Sequence, residues 1–101
     1  MAYLGESFDA NLAAVCGADE ALFRELRAAF VSSAERQLDL MRRSRCDGNW
    51  LVAAERLRGL AASFHAEALM ELADHAILTA PGDPRALREI ADHLETLTAP
   101  D

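Results

Sequence analysis

Residues 83–97 read Asp83-Pro84-Arg85-Ala86-Leu87-Arg88-Glu89-Ile90-Ala91-Asp92-His93-Leu94-Glu95-Thr96-Leu97, and they decide the fold class. Asp83 is a residue type whose side-chain oxygen accepts from the backbone N–H groups of a first helical turn. Pro84 comes next, at the first helical position, where its missing N–H costs nothing and its fixed φ already suits a helix. Leu87, Ile90, Ala91, Leu94 and Leu97 then recur at three- and four-residue intervals, the apolar stripe of an amphipathic helix.

The same signals repeat towards the N-terminus. Pro81 and Gly82 end a helix predicted over about Ala66–Thr79, whose stripe is Leu69, Leu72, Ala73 and Ala76. A helix from Trp50 to about Phe64 carries Leu51, Ala54, Leu57, Ala61 and Phe64 on one face, and Asp47-Gly48-Asn49 reads as the turn before it. A longer helix begins after Asp19, with Glu20 suited to the positive end of its dipole. It carries Phe23, Leu26, Phe30, Ala34, Gln37, Leu38 and Met41 inward, and Arg42, Arg43 and Arg45 crowd its C-terminal end. A short helix over about Ser7–Val15, with Phe8, Leu12 and Val15 at helical spacing, stops at Gly17. Four amphipathic helices on short connections predict an all-α, up-and-down four-helix bundle. The short first helix caps one end, and the whole of 1–101 forms one domain.

Composition agrees. The 101 residues are 51% hydrophobic, enough for one core, and Ala, Leu, Glu and Arg dominate over aromatic and β-branched types. A net charge of −7 argues against nucleic acid as a partner, since a phosphate backbone requires a basic face. All ten basic residues are Arg. No run reaches the ~18 apolar residues of a membrane span and no signal peptide is legible, so the expected location is the cytoplasm. Cys16 and Cys46 form no CxxC pair, which points to two free thiols in a reducing compartment. They flank opposite ends of the long helix, so no disulfide is expected between them.

One segment carries chemistry. Ala54-Glu55-Arg56-Leu57-Arg58-Gly59 is succeeded by Leu60-Ala61-Ala62-Ser63-Phe64-His65-Ala66 and then Leu69. This resembles the histidine-phosphotransfer (HPt) family of bacterial two-component phosphorelays, whose pattern is His-x-Leu-Lys-Gly, small residues, an apolar residue, Gly-Ala and a Leu three further on. Leu57, Gly59, Ala61, Phe64, Ala66 and Leu69 fall where that pattern wants them, and Arg58 stands for the Lys. The family's short helix, Gly-x-Asp turn and long helix match Gly17-Ala18-Asp19 and the helices predicted on either side of it, and Trp50 fits its place before the third helix. The chain departs at two positions: Glu55 stands where the family has its phosphorylated His, and His65 where it usually has Gly.

The resemblance implies a surface that docks the receiver domain of a response regulator, a histidine kinase, or both. Glu55, Arg58, Gly59 and Ala62 share one helix face at offsets of three, four and seven, with Arg56 beside them, while Leu57 points inward. In active members a neutral imidazole takes the phosphoryl group, a basic residue one turn on neutralises its oxygens, and Gly leaves room for the receiver. A carboxylate, charged at neutral pH, would give a mixed anhydride prone to hydrolysis in place of a phosphohistidine. The resemblance with Glu55 therefore implies a pseudo-HPt protein that binds but does not relay phosphate, without cofactor and without enzymatic activity of its own.

Taken alone, Glu55 and Arg58 are also what an ordinary solvated helix face offers, an i,i+3 ion pair worth ~0.2–0.5 kcal/mol. Gly59 distinguishes the readings. Gly inside a helix costs ~1 kcal/mol relative to Ala, which a flat docking surface or close packing inside the bundle would justify. The alternatives are an active phosphotransfer protein using another His, or a purely structural helical module. His65 is expected to be a turn residue; His75 and His93 come four residues after Glu71 and Glu89 and are expected as surface ion pairs. No Glu-x-x-His occurs twice, so no metal site is expected, and no nucleophile–base pair or Gly-rich phosphate loop is legible.

Overall fold

A computed structural model of the chain describes residues 4–98, with the side chains of residues 8–98. These residues form five α-helices and no strand: α1 (Leu4–Cys16), α2 (Glu20–Arg43), α3 (Asp47–Ser63), α4 (Glu67–Ile77) and α5 (Pro84–Thr98). Contacts run α2 to α3, α3 to α4, α4 to α5 and α5 back to α2, closing a circuit, while α1 lies against α2 and α4.

Local chemistry sets the helix starts. The Asp19 side chain accepts from Leu22 N–H at 2.9 Å, and the Asp83 side chain accepts from Ala86 N–H at 2.9 Å. Each satisfies one of the N–H groups that a first turn leaves without a partner. Ahead of Asp83 the chain reverses in a turn closed by Asp83 N–H to Ala80 carbonyl (3.1 Å), with Pro81 second and Gly82 third at φ +79°. That positive φ is what a Pro-Gly turn of this type requires.

Three contacts fix the helix directions. The Trp50 indole N–H, at the start of α3, donates 2.8 Å to the Ala76 carbonyl at the end of α4. Phe64, at the end of α3, packs on Phe30 of the first half of α2, with centroids 4.8 Å apart. Arg27, early in α2, donates to the Leu97 carbonyl late in α5. Neighbouring helices thus run antiparallel. α1 closes the end where α2 starts and α3 and α5 finish: Phe8 completes the aromatic cluster at 4.7 Å from Phe30 and 6.4 Å from Phe64, and Asp9 pairs with Arg27 at 2.8 Å.

The core matches the predicted stripes over most of the chain. Phe30, Ala34, Leu38 and Met41 are buried on α2, Leu69, Ala73 and Ala76 on α4, and Ile90, Leu94 and Leu97 on α5. Three details differ. On α1, Val15 is 78% exposed and Cys16 is buried, because Cys16 continues the Phe8–Leu12 spacing of four while Val15 falls round the helix. On α3, Leu51 is exposed, and Trp50 and Ala53 are buried beside the predicted Ala54, Leu57 and Ala61. The segment Asp47-Gly48-Asn49, expected as a turn, is the first turn of α3. N–H groups there need no intrahelical partner and Asp47 suits the dipole, so Gly and Asn are tolerated while Trp50 reaches Ala76. α2 ends at Arg43, which leaves Arg45 outside it, and α4 ends at Ile77 rather than Thr79.

Cys16 is buried, Cys46 is exposed and both thiols are free, at opposite ends of the 24-residue α2. At ~1.5 Å per residue that helix alone spans roughly 36 Å, far beyond the ~7 Å between Cα atoms that a disulfide bridges.

The end of α3 carries backbone strain. His65 has φ +55°. Its N–H donates to the Ala62 carbonyl (3.1 Å), and Ala66 N–H donates back to Ala61 (2.8 Å). This pair of bonds is the Schellman termination, whose left-handed residue is ordinarily Gly. A residue with a Cβ costs ~1–2 kcal/mol in that conformation, and Gly returns part of the gain as unfolded-state entropy. His65→Gly is therefore expected to raise stability by roughly 0.5–1 kcal/mol, read by urea denaturation; a loss of stability would mean that the imidazole makes a contact worth more than the strain.

Candidate functional site

Burial of Trp50, Ala53, Ala54, Leu57 and Ala61 fixes the rotation of α3. With ~100° per residue, the outward arc runs from Arg58 on the α4 side, through Ala62, Glu55 and Gly59, to Arg56 on the α2 side. Glu55, Arg56, Arg58 and Gly59 are all exposed, and Ala62 is half-buried at the margin. The predicted residues thus share one arc of helix, but the two arginines stand on opposite flanks of Glu55.

Gly59 has open space around it: a Cβ built there meets nothing within 4 Å. Close packing inside the bundle does not explain this glycine. It leaves a bare strip of helix beside Glu55.

The Glu55–Arg58 pair that an ordinary solvated helix face would offer does not form. The Arg58 guanidinium bonds the Asp74 carboxylate of α4 instead, through Nε. Among the described residues Glu55 has no hydrogen-bonding or ionic partner. Both members of the Arg58–Asp74 pair are about half exposed, so its contribution to stability is small, ~0–1 kcal/mol. Its consequence is one of position: the cation one turn from Glu55 is directed towards α4.

On the other flank, Arg56 lines an open groove between α2 and α3 with Leu40, Arg43, Ser44, Asn49, Val52 and Ala53. Leu40 and Val52 are 39% and 45% exposed. Sequence reading missed this groove. The available signal was Leu40 and Val52 lying off the predicted apolar stripes of their own helices. Arg43 at the rim is itself paired with Asp39, one turn earlier, at 3.0 Å.

His65 terminates α3, as the turn reading expected, but neither His75 nor His93 forms the ion pair expected of it. His75 is exposed and makes no ion pair with Glu71 among the described residues. Glu89 pairs with Arg85 at 3.2 Å rather than with His93, because the guanidinium competes one turn earlier on the same helix. His93 is half-buried on α5, and burial lowers its pKa below the usual 6.5. No group of three or more His, Cys, Asp or Glu side chains among the described residues is arranged to hold a metal ion. No described helix is long and apolar enough to cross a membrane.

The chain matches no family model, no curated protein and no solved structure.

Gly59→Ala is expected to stabilise the fold by about 0.5–1 kcal/mol, since Ala is the better helix former and the added methyl meets nothing; destabilisation in thermal melts would contradict the open surface at Gly59. For His93 the folded pKa lies below the unfolded one, so between them the unfolded chain binds more protons and stability rises with pH. The contribution is complete above about pH 6.5 and is lost as pH falls from there through the folded value. Denaturation midpoints measured from pH 7.5 down to 5 are expected to fall less steeply for His93→Gln than for the wild type, and equal slopes would exclude His93 as a source of the dependence.

Proposed function

We propose that the chain is a pseudo-HPt signalling protein: an up-and-down four-helix bundle, capped by α1, that docks a receiver domain or a histidine kinase on the exposed face of α3 without carrying phosphate. The observation that carries this reading is Gly59, a glycine inside a helix with open space around it and no packing role, one turn after an exposed Glu55. A helix gives up stability at such a position, and close approach by a partner backbone is the use for which a missing side chain is suited. Leu40 and Val52 extend the face with exposed apolar surface, the kind that a partner covers.

The backbone at His65 adds support of a different sort. The HPt pattern has Gly there, and in this chain the position takes a left-handed conformation that favours Gly. The circuit of α2 to α5 and the position of α1 fit the same architecture. With Glu55 in place of the imidazole, a phosphoryl group on the carboxylate would be a mixed anhydride, open to hydrolysis. The protein then acts by occupancy: it sequesters a receiver or inhibits a kinase, in the cytoplasm, as a binding protein rather than an enzyme.

The test is binding and phosphoryl transfer with purified receiver domains. Gly59→Arg is expected to keep the wild-type helicity, because Arg suits an exposed helix position, and to weaken receiver binding at least about tenfold by obstructing the face. The wild type is expected to retain no phosphoryl label from a phosphorylated receiver, whereas Glu55→His accepts some. A normally folded Gly59→Arg chain that binds as tightly as the wild type would place the protein's action elsewhere.

A further inference from the structure

Arg58 stands between two carboxylates. Glu55 is three residues earlier on the same helix face, and Asp74 projects from α4. The structure gives the guanidinium to Asp74, and Glu55 keeps no partner among the described residues. Arg56, the other arginine near Glu55, lies on the far flank and lines the groove towards α2. An exposed carboxylate is thereby left alone next to the bare strip at Gly59, although the sequence places a cation one turn from it.

We propose that Asp74 is a positioning residue for this face: it holds Arg58 towards α4, leaves Glu55 as an uncompensated carboxylate, and so restrains the docking of a receiver, whose phosphoryl group or carboxylates come opposite Glu55. The effect on a receiver rests on the docking function proposed above; the positioning of Arg58 does not. A partner that brings a carboxylate or phosphoryl group to the same point meets repulsion that Arg58, engaged elsewhere, does not relieve. Were Arg58 free, it would neutralise Glu55 through the i,i+3 contact and the face would lose this restraint.

The positioning half is tested without any partner, by replacing the carboxylate with an imidazole whose titration reports the local charge. In Glu55→His the midpoint is monitored by NMR, with and without Asp74→Asn, in the presence of Arg58 and again in an Arg58→Ala background. Removing the Asp74 charge lowers the midpoint somewhat in both backgrounds. With Arg58 present the drop is expected to be larger by roughly 0.2–0.4 pH unit, as the released guanidinium swings towards position 55. Asp74→Glu, which keeps the carboxylate, is expected to leave the midpoint near its starting value. A role of Asp74 confined to bracing α3 against α4 would alter melting temperature without this dependence on Arg58. Equal drops in the two backgrounds would overturn the positioning role.

The partner half is read with purified receiver domains. Glu55→Gln and Asp74→Asn are both expected to tighten receiver binding, by about two- to fivefold, because the first removes the Glu55 charge and the second frees Arg58 to neutralise it. Unchanged or weaker binding by Asp74→Asn would overturn the effect on the receiver. If the titration difference holds while the wild type binds none of these domains, receiver docking falls and the assignment of Asp74 stands.

Discussion

The rotation of α3 about its own axis governs what this molecule can present to a partner. Trp50, Ala54, Leu57 and Ala61 are each almost wholly buried, and together they allow one orientation of the helix. Burying a Leu side chain is worth ~1.5–3 kcal/mol, and Trp50 adds a buried hydrogen bond to the Ala76 carbonyl. An exposed ion pair such as Arg58–Asp74 contributes ~0–1 kcal/mol. The core therefore decides the rotation, and the surface charges accept the positions it gives them. Glu55 and Gly59 face outward as a consequence of what is buried behind them.

The small residues in that core matter as much as the large ones. Ala34, Ala54, Ala61, Ala73 and Ala76 are completely buried. Side chains of that size let neighbouring helices approach closely, and close approach brings Asp74 of α4 within reach of Arg58 on α3. At the end of α3 the filling is by large side chains instead, where Phe64 turns into the cluster with Phe8 and Phe30. The chain reverses there through a left-handed His65, so that α4 can begin again in contact with α3. Strain at one residue is thus tied to the packing of three helices.

Charge is distributed against the overall sign of the molecule. The chain is acidic, yet Arg36, Arg42 and Arg43 gather on the second half of α2 and Arg56 and Arg58 on the exposed side of α3, the last two flanking the carboxylate of Glu55. Two arginines cross between elements: Arg27 ties α1 and α5 to α2, and Arg58 ties α3 to α4. The first pairing holds the capping helix in place. The second alters the electrostatics of the candidate face, because it removes the cation that sits one turn from Glu55 along the helix.

The sequence by itself determined the helical class, the five segments and most of the inward stripes, because helix caps, Pro-Gly turns and a period of 3.6 are local properties written in consecutive residues. Asp19, Gly17, Pro81-Gly82 and Asp83 mark boundaries in the structure as they do in the sequence. The face containing Glu55, Arg58 and Gly59 was legible for the same reason, since residues three and four apart share a side of any helix. The errors arose where a local signal has two outcomes. Asp47-Gly48-Asn49 suits a turn and a first helical turn alike, and only the burial of Trp50 against Ala76 selects the helix. Val15 and Cys16 compete for one inward position, and the packing of α1 on α2 chooses between them. Tertiary structure alone decided that Arg58 pairs with Asp74 rather than Glu55, and that Leu40 and Val52 border a common groove. Those partners lie 16 and 12 residues apart on different helices, a separation at which sequence spacing carries no information about contact.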